Sequence, residues 1–174
     1  LCPVSTACGG CCFQNLKYEE QLKFKQKKVK DALYKIGHLN VNVEPTIGME
    51  NPYHYRNKIQ MPIGMNQKKQ IISGFYRTDS HEIIPINECF IEDERASKII
   101  NTLKALMKKH KILPYNEDTR IGIIRHCLIR TSHYYPQIMV VLVTNADSFP
   151  GRNNLVKDLH AECKEITTIV QNIN

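Results

Sequence analysis

Apolar positions along this chain follow two rhythms. Tyr18, Leu22, Val29, Leu33 and Ile36 recur at spacings of three, four and seven, as one face of a helix does. Asn15 is placed to cap that helix, Glu19 and Glu20 suit its first turn, and Gly37 suits its end. Its other face is Lys23, Lys27 and Lys30. After a turn-rich link from Gly48 to Pro52 the period drops to two. Tyr55, Asn57, Ile59, Met61 and Ile63 alternate with Arg56, Lys58 and Gln60, the pattern of a half-buried strand. Ile71–Arg77 and Glu82–Ile86 predict two more strands around a turn at Thr78-Asp79-Ser80. Helical spacing returns over 93–110 through Ala96, Ile99, Ile100, Leu103, Leu106 and His110.

Arg120–Thr131 and Gln137–Thr144 are strand-like and joined by Ser132–Pro136, which predicts a hairpin. A last helix is expected from about Asn154 to Lys164, before the apolar stretch Ile166–Val170. Strands clustered by short turns between separate helices predict an α+β fold, an antiparallel sheet flanked by helices. Residues 1–15 carry no periodicity and form a cysteine-rich loop ahead of it. The chain thus divides into that loop (1–15), a Lys-rich helix (16–37) and an α+β domain (38–174).

Composition agrees with a folded protein. Of 174 residues, 42% are hydrophobic and 24% charged, a globular balance long enough to bury a core without covalent staples. No apolar run approaches the roughly 18 residues of a membrane span, and no signal peptide is expected ahead of the first cysteine. Lys and Arg total 24 against 17 Asp and Glu, a net charge of +7, which favours a polyanion as partner. Seven cysteines are more than structure requires. Their odd number excludes a fully paired disulfide framework, so reduced thiols in a cytoplasmic protein are expected. The chain begins Leu1-Cys2-Pro3 without an initiator Met, and is expected to be part of something longer.

The cysteines hold the sharpest signal. Cys2, Cys8 and Cys11 form C-x5-C-x2-C, with Gly9 and Gly10 inside the last gap. Glycines there let the backbone wrap a ligand and turn N–H groups toward anionic sulfur. Thiolates this close repel one another unless a metal neutralises them. Cys89, in Ile86-Asn87-Glu88-Cys89-Phe90 just after a strand, is the best-placed fourth ligand, with Cys127 and Cys163 as competitors. Three cysteines and a remote fourth fit a [4Fe–4S] cluster or an all-cysteine zinc site. The second matched knuckle that structural zinc usually has is missing.

A second signal is basic charge mixed with rings. Tyr55, Arg56 and Lys58 share one strand, Arg125 and Arg130 another, and His133, Tyr134 and Tyr135 follow it. Arginines contact phosphates and aromatics stack on unpaired bases, as in recognition of RNA loops. No catalytic constellation is found: there is no G-x-G-x-x-G, P-loop or H-E-x-x-H. Glu92-Asp93-Glu94 suits the first turn of the helix that starts there.

These motifs, in order, resemble the RNA uracil-C5 methyltransferases that use S-adenosylmethionine, particularly the 23S ribosomal RNA branch. Cys2-Pro3 through Cys8-Gly9-Gly10-Cys11, with Gln14, resembles the family's cluster loop. Tyr55-Arg56-Asn57-Lys58 resembles its Y-R-N-K strand, and Gly74-Phe75-Tyr76, Ser80-His81 and Cys89 its segment with the last ligand. Arg125-His126, Ile129-Arg130 and the ending Ile169–Asn174 resemble later blocks. The resemblance implies a [4Fe–4S] cluster on Cys2, Cys8, Cys11 and Cys89, and Arg56 as an RNA contact. It implies a 23S rRNA hairpin loop as partner. It places the small RNA-binding β-barrel before Leu1, and the nucleophile, the base and the S-adenosylmethionine fold after Asn174. This segment alone is then expected to be inactive. A zinc-stabilised RNA-binding module without methyl transfer is the alternative.

Overall fold

A computed structural model describes residues 2–174; Leu1, first residue of the expected 1–15 loop, lies outside the described residues. The order of elements is α1 (Tyr18–Lys35), β1 (Lys58–Met65), β2 (Ile71–Tyr76), β3 (Ile83–Pro85), α2 (Glu94–Lys109), β4 (Ile124–Thr131), β5 (Ile138–Thr144), α3 (Arg152–Glu162) and β6 (Ile166–Ile173). The strands form one six-stranded sheet in the order β3-β2-β1-β4-β5-β6.

Alternation decides which face of the sheet is covered. Ile59, Met61 and Ile63 of β1 point inward with Cys127 and Ile129 of β4, and Met61 stands opposite Cys127. Against them α2 lays Ile99, Ile100, Leu103, Leu106 and Met107, and α3 adds Leu155 and Leu159. Each such side chain contributes about 1.5–3 kcal/mol by leaving water. Asp93 starts α2 as its N-cap, its carboxylate accepting from the Arg95 N–H at 2.9 Å. On the opposite face Lys58, Gln60 and Arg130 are exposed.

The sheet is antiparallel from β3 through β5, as the sequence pattern predicts. β6 departs from this and runs parallel to β5. Its cause is the connection: α3 carries the chain back across the sheet, and such a crossover sets the next strand parallel. β6 therefore extends the Ile166–Val170 stretch to Ile173 as an edge strand.

α1 forms where its spacing predicts, but none of its residues is buried. Val29 and Ile36 are 52% and 81% exposed. The half-buried Tyr18, Leu22 and Gln26 are met by an extended segment: Thr46 Oγ1 donates to the Leu22 carbonyl, Gln26 Nε2 to that of Val43, and the Met49 N–H to the Tyr18 hydroxyl. Lys17 occupies the N-cap position without a side-chain bond, and Asn15 instead accepts from the Ser5 hydroxyl. No described helix is long and apolar enough to cross a membrane.

Candidate metal centre and nucleic-acid interface

The cysteine loop is compact because it turns on itself and then docks on β2. The Ser5, Ala7 and Cys8 N–H groups bond to carbonyls of Cys2 and Val4. Cys8 then bridges to Arg77, and the Gly9 N–H donates to the Tyr76 carbonyl at 3.0 Å. A Cβ at Gly9 would stand 3.0 Å from that same oxygen, so a larger residue there would have to push the backbone back by a few tenths of an ångström. At Gly10 the N–H donates to Cys8 Sγ at 3.3 Å, and a Cβ would press on the same sulfur. The expected backbone N–H directed at sulfur is present.

Cys89 arrives from the other side. β3 turns down beside β2, the Ile86 N–H bonding to the Ser73 carbonyl, and the chain after it brings Cys89 under the loop. Cys2, Cys8, Cys11 and Cys89 all line one small cavity, closed by Val4, Phe75, Ile86 and Ile91. Cys127 and Cys163 are fully buried in the main core, and Cys12 is exposed. The seven thiols are free. Burial, and then the Glu92 charge, push the Cys89 thiol up to about 11. Burial raises Cys11 as well, against the pull of the Arg56 cation. Such thiols stay protonated at neutral pH, and a metal's charge is what would make them thiolates. Among the described residues no three His, Cys, Asp or Glu side chains are grouped to hold a single metal ion. The four thiols around one small apolar cavity, with an N–H on one sulfur, are the side chains that could hold a metal centre.

The irregular segment Tyr53–Asn57, ahead of β1, runs beside this cavity. The His54 and Arg56 N–H groups donate to the carbonyls of Phe90 and Ile91, each at 2.9 Å, and Arg56 bridges to Glu92 in parallel. Tyr53 and Tyr55 face solvent, while His54 and Arg56 are half-buried. One step further Lys58 stands directly opposite Arg130 across β1 and β4. Both are exposed, and neither has an acidic partner within 4.0 Å among the described residues. Like charges facing each other across a ladder repel, and the pair leaves two unpaired cations on the exposed face of the sheet. Arg125 lies apart from it. Its guanidinium donates to Glu117 at 2.5 Å and to the Asn174 carbonyl at 3.0 Å, and sits 5.0 Å over the Tyr115 ring. Beside it, burial and the Arg125 charge hold the His126 imidazole below its ordinary value. Tyr134 and Tyr135 meet edge to face at the exposed turn after β4.

Glu92 is the residue that sequence patterning misses. It does not join the first turn of α2 but lies fully buried, with no hydrogen-bond partner on either carboxylate oxygen. Burial pushes its carboxyl up to about 7, against the Arg56 cation, which lowers it. The available signal is its place at the end of Cys89-Phe90-Ile91, a run too apolar to be the surface side of a helix start.

No protein-family model matches the chain. Among curated proteins it is similar to an uncharacterized RNA methyltransferase of Clostridium tetani, 45% identical over 173 residues, 99% of this chain and 37% of that protein. A second, from Clostridium acetobutylicum, is 45% identical over 177 residues, 100% of this chain and 38% of its own length. A third, from Listeria monocytogenes, is 43% identical over 99% of this chain and 38% of its own. The chain thus spans under two-fifths of the length of the relatives it matches. Among solved structures it resembles the Pyrococcus abyssi tRNA (uracil-54, C5)-methyltransferase in complex with S-adenosyl-L-homocysteine. The TM-score there is 0.65 and the identity 29%, over 88% of this chain and 35% of that one. Sequence along its whole length is thus similar to part of RNA methyltransferases, its fold is similar to part of a tRNA uracil-C5 methyltransferase, and together these support an RNA uracil-C5 methyltransferase-like family.

Proposed function

We propose that this chain is the cluster-bearing, RNA-contacting segment of an S-adenosylmethionine-dependent RNA uracil-C5 methyltransferase whose substrate is a hairpin loop of 23S rRNA. Cys2, Cys8, Cys11 and Cys89 hold a [4Fe–4S] cluster, which would fasten the loop to β2 and β3. Arg56, Lys58 and Arg130, with the exposed Tyr55 ring, grip the RNA: the cations meet phosphates and the ring stacks on an unpaired base. Arg125, engaged by Glu117 and the Asn174 carbonyl, contributes by fixing that end of the sheet. One observation carries this reading. Four thiols around a single cavity are joined through backbone hydrogen bonds to the segment His54–Arg56, which leads into β1 and its two facing, unpartnered cations. The methyl-transfer residues belong to the rest of the parent protein, and the S-adenosyl-L-homocysteine held by the Pyrococcus abyssi structure supports S-adenosylmethionine as the methyl source.

Metal analysis of the full-length protein, purified without oxygen, tests the cluster. The expected result is a brown protein with about four irons per chain; stoichiometric zinc without iron would overturn it in favour of a zinc-stabilised RNA-binding module. Charge reversal tests the RNA contact. Lys58→Glu should weaken binding to a 23S rRNA hairpin and flatten its salt dependence, and unchanged binding would reduce this strand to a plain surface.

A further inference from the structure

Residues 38–49 follow α1 and belong to no helix or strand of this chain. Their sequence nevertheless alternates. Leu39, Val41, Val43, Pro45, Ile47 and Met49 are apolar, while Asn40, Asn42, Glu44, Thr46 and Gly48 between them are polar or small. That is the period of a strand with one covered side. The polar side is the one that meets α1: the Thr46 hydroxyl donates to the Leu22 carbonyl, and a Cβ at Gly48 would stand 2.8 Å from Leu22 Cδ1. The apolar side is bare. Leu39, Val41, Pro45 and Met49 are exposed, Ile47 is 97% exposed, and only Val43 is half-buried.

The backbone is as open as the side chains. Among the described residues no N–H or carbonyl from 40 to 48 bonds to another backbone group. The two backbone groups that α1 engages are both on odd-numbered residues: the Val43 carbonyl accepts from Gln26 Nε2, and the Met49 N–H donates to the Tyr18 hydroxyl, each at 2.8 Å. Pro45, with no N–H to offer, is odd-numbered too. Successive residues of an extended chain turn their N–H and C=O groups to opposite edges. The even-numbered edge, Asn40 to Gly48, therefore carries an uninterrupted row of free donors and acceptors, a template for another strand. Because the chain spans under two-fifths of the length of its relatives, more than three-fifths of such a protein lies outside it. A strand tethered in the same polypeptide is present at an effective concentration on the order of mM, which a second copy in dilute solution does not reach.

We propose that residues 39–49 are a β-strand of the full-length protein, paired along the even-numbered edge with a sheet formed by the part outside this chain, which also covers Leu39, Val41, Ile47 and Met49. α1 then packs beside that sheet, which accounts for an 18-residue helix that buries no residue here. Only Glu50 to Asn57 separate the strand from β1, at most about 30 Å of chain, so the pairing limits how far the rest of the protein stands from Lys58. It uses neither the cysteine cavity nor the facing cations, and holds or fails without them.

Hydrogen exchange of the full-length protein, resolved to single residues by mass spectrometry, tests the pairing. The Asn40, Asn42, Glu44, Thr46 and Gly48 amides should exchange at least about 100-fold more slowly than in an unstructured peptide, and those of Val41, Val43 and Ile47 should not. Free exchange along the even-numbered set, or protection of the odd-numbered set alone, would overturn the proposal. The photoreactive residue benzoylphenylalanine in place of Ile47 then identifies the cover. Illumination should link it, within one polypeptide, to a peptide outside residues 1–174. A link to a second copy, seen as a doubled mass, or no link beyond residues 1–174, would rule that partner out and the proposal with it.

Discussion

The molecule holds two hydrophobic clusters built on different terms. In the main one, α2 and α3 cover a sheet face with branched aliphatic side chains, and Leu103, Ile124, Ile129 and Leu155 are shut off from water. The second consists of Ile86, Cys89 and Ile91 with Val4, Cys8, Cys11 and Phe75 packed against it. Phe75 touches both. The first stands on apolar burial alone. The second has few aliphatic side chains, is held by turns and by its pairing with β2, and buries thiols whose charged forms are disfavoured. Its order should therefore depend on what the thiols bind, while the sheet should be indifferent to it.

The sharpest break between the two comes from the cysteines. Cys89→Ala should remove all iron and the visible colour on the cluster reading, whereas Cys127→Ala, in the main core, should cost about 1 kcal/mol and no iron. Iron analysis of the two variants checks this, and colour lost from Cys127→Ala would erase the distinction. Leu103→Ala acts the other way. It should lower stability by about 2–5 kcal/mol in urea unfolding while the folded protein keeps its iron. Chelation of the metal should speed hydrogen exchange in residues 2–12 and leave α2 protected; faster exchange in both would join the regions into one unit. Arg130→Glu should weaken hairpin binding about 10-fold at low salt and reduce the salt slope, without moving the urea midpoint.

The smallest effect concerns pH. The folded state holds His126 neutral, because burial and Arg125 disfavour its cation. Its folded value thus lies below the unfolded one, so the stability it contributes is whole above about pH 6.5 and falls as the pH drops through that value. His126→Gln should flatten the dependence of the urea midpoint between about pH 7.5 and 5. An unchanged slope would assign it to other groups.

The sequence made some of this plain and concealed the rest, for physical reasons. α2 was legible because Ala96, Ile99, Ile100, Leu103 and Leu106 repeat along one face that is in fact buried. β1 was legible by alternation, but its ladder begins at Lys58, since His54 and Arg56 bond to Phe90 and Ile91 instead. The same alternating pattern serves two different partners, and pattern cannot tell them apart. β6 was hidden because its partner, β5, lies beyond a helix, and Thr167 and Thr168 interrupt its apolar run. The convergence of Cys89 with the loop was legible as chemistry, from the need for a fourth ligand. Glu92 was not, because only the fold removes it from water.

The four thiols come from opposite ends of a long detour. Between Cys11 and Cys89 lie α1, β1, β2 and β3, and two cavity walls, Phe75 and Ile86, come from β2 and from just past β3. Bringing such distant points together carries a chain-closure cost that grows slowly with length, and here the sheet has already met it. The cavity does not exist until β2 and β3 have paired. On the proposed cluster, metal loading would then report folding order: a nascent or mispaired chain lacks Cys89 and the Phe75 and Ile86 walls, and only one with its sheet assembled presents the whole receptacle. If the proposed cluster is bound, iron content becomes a census of correctly folded molecules.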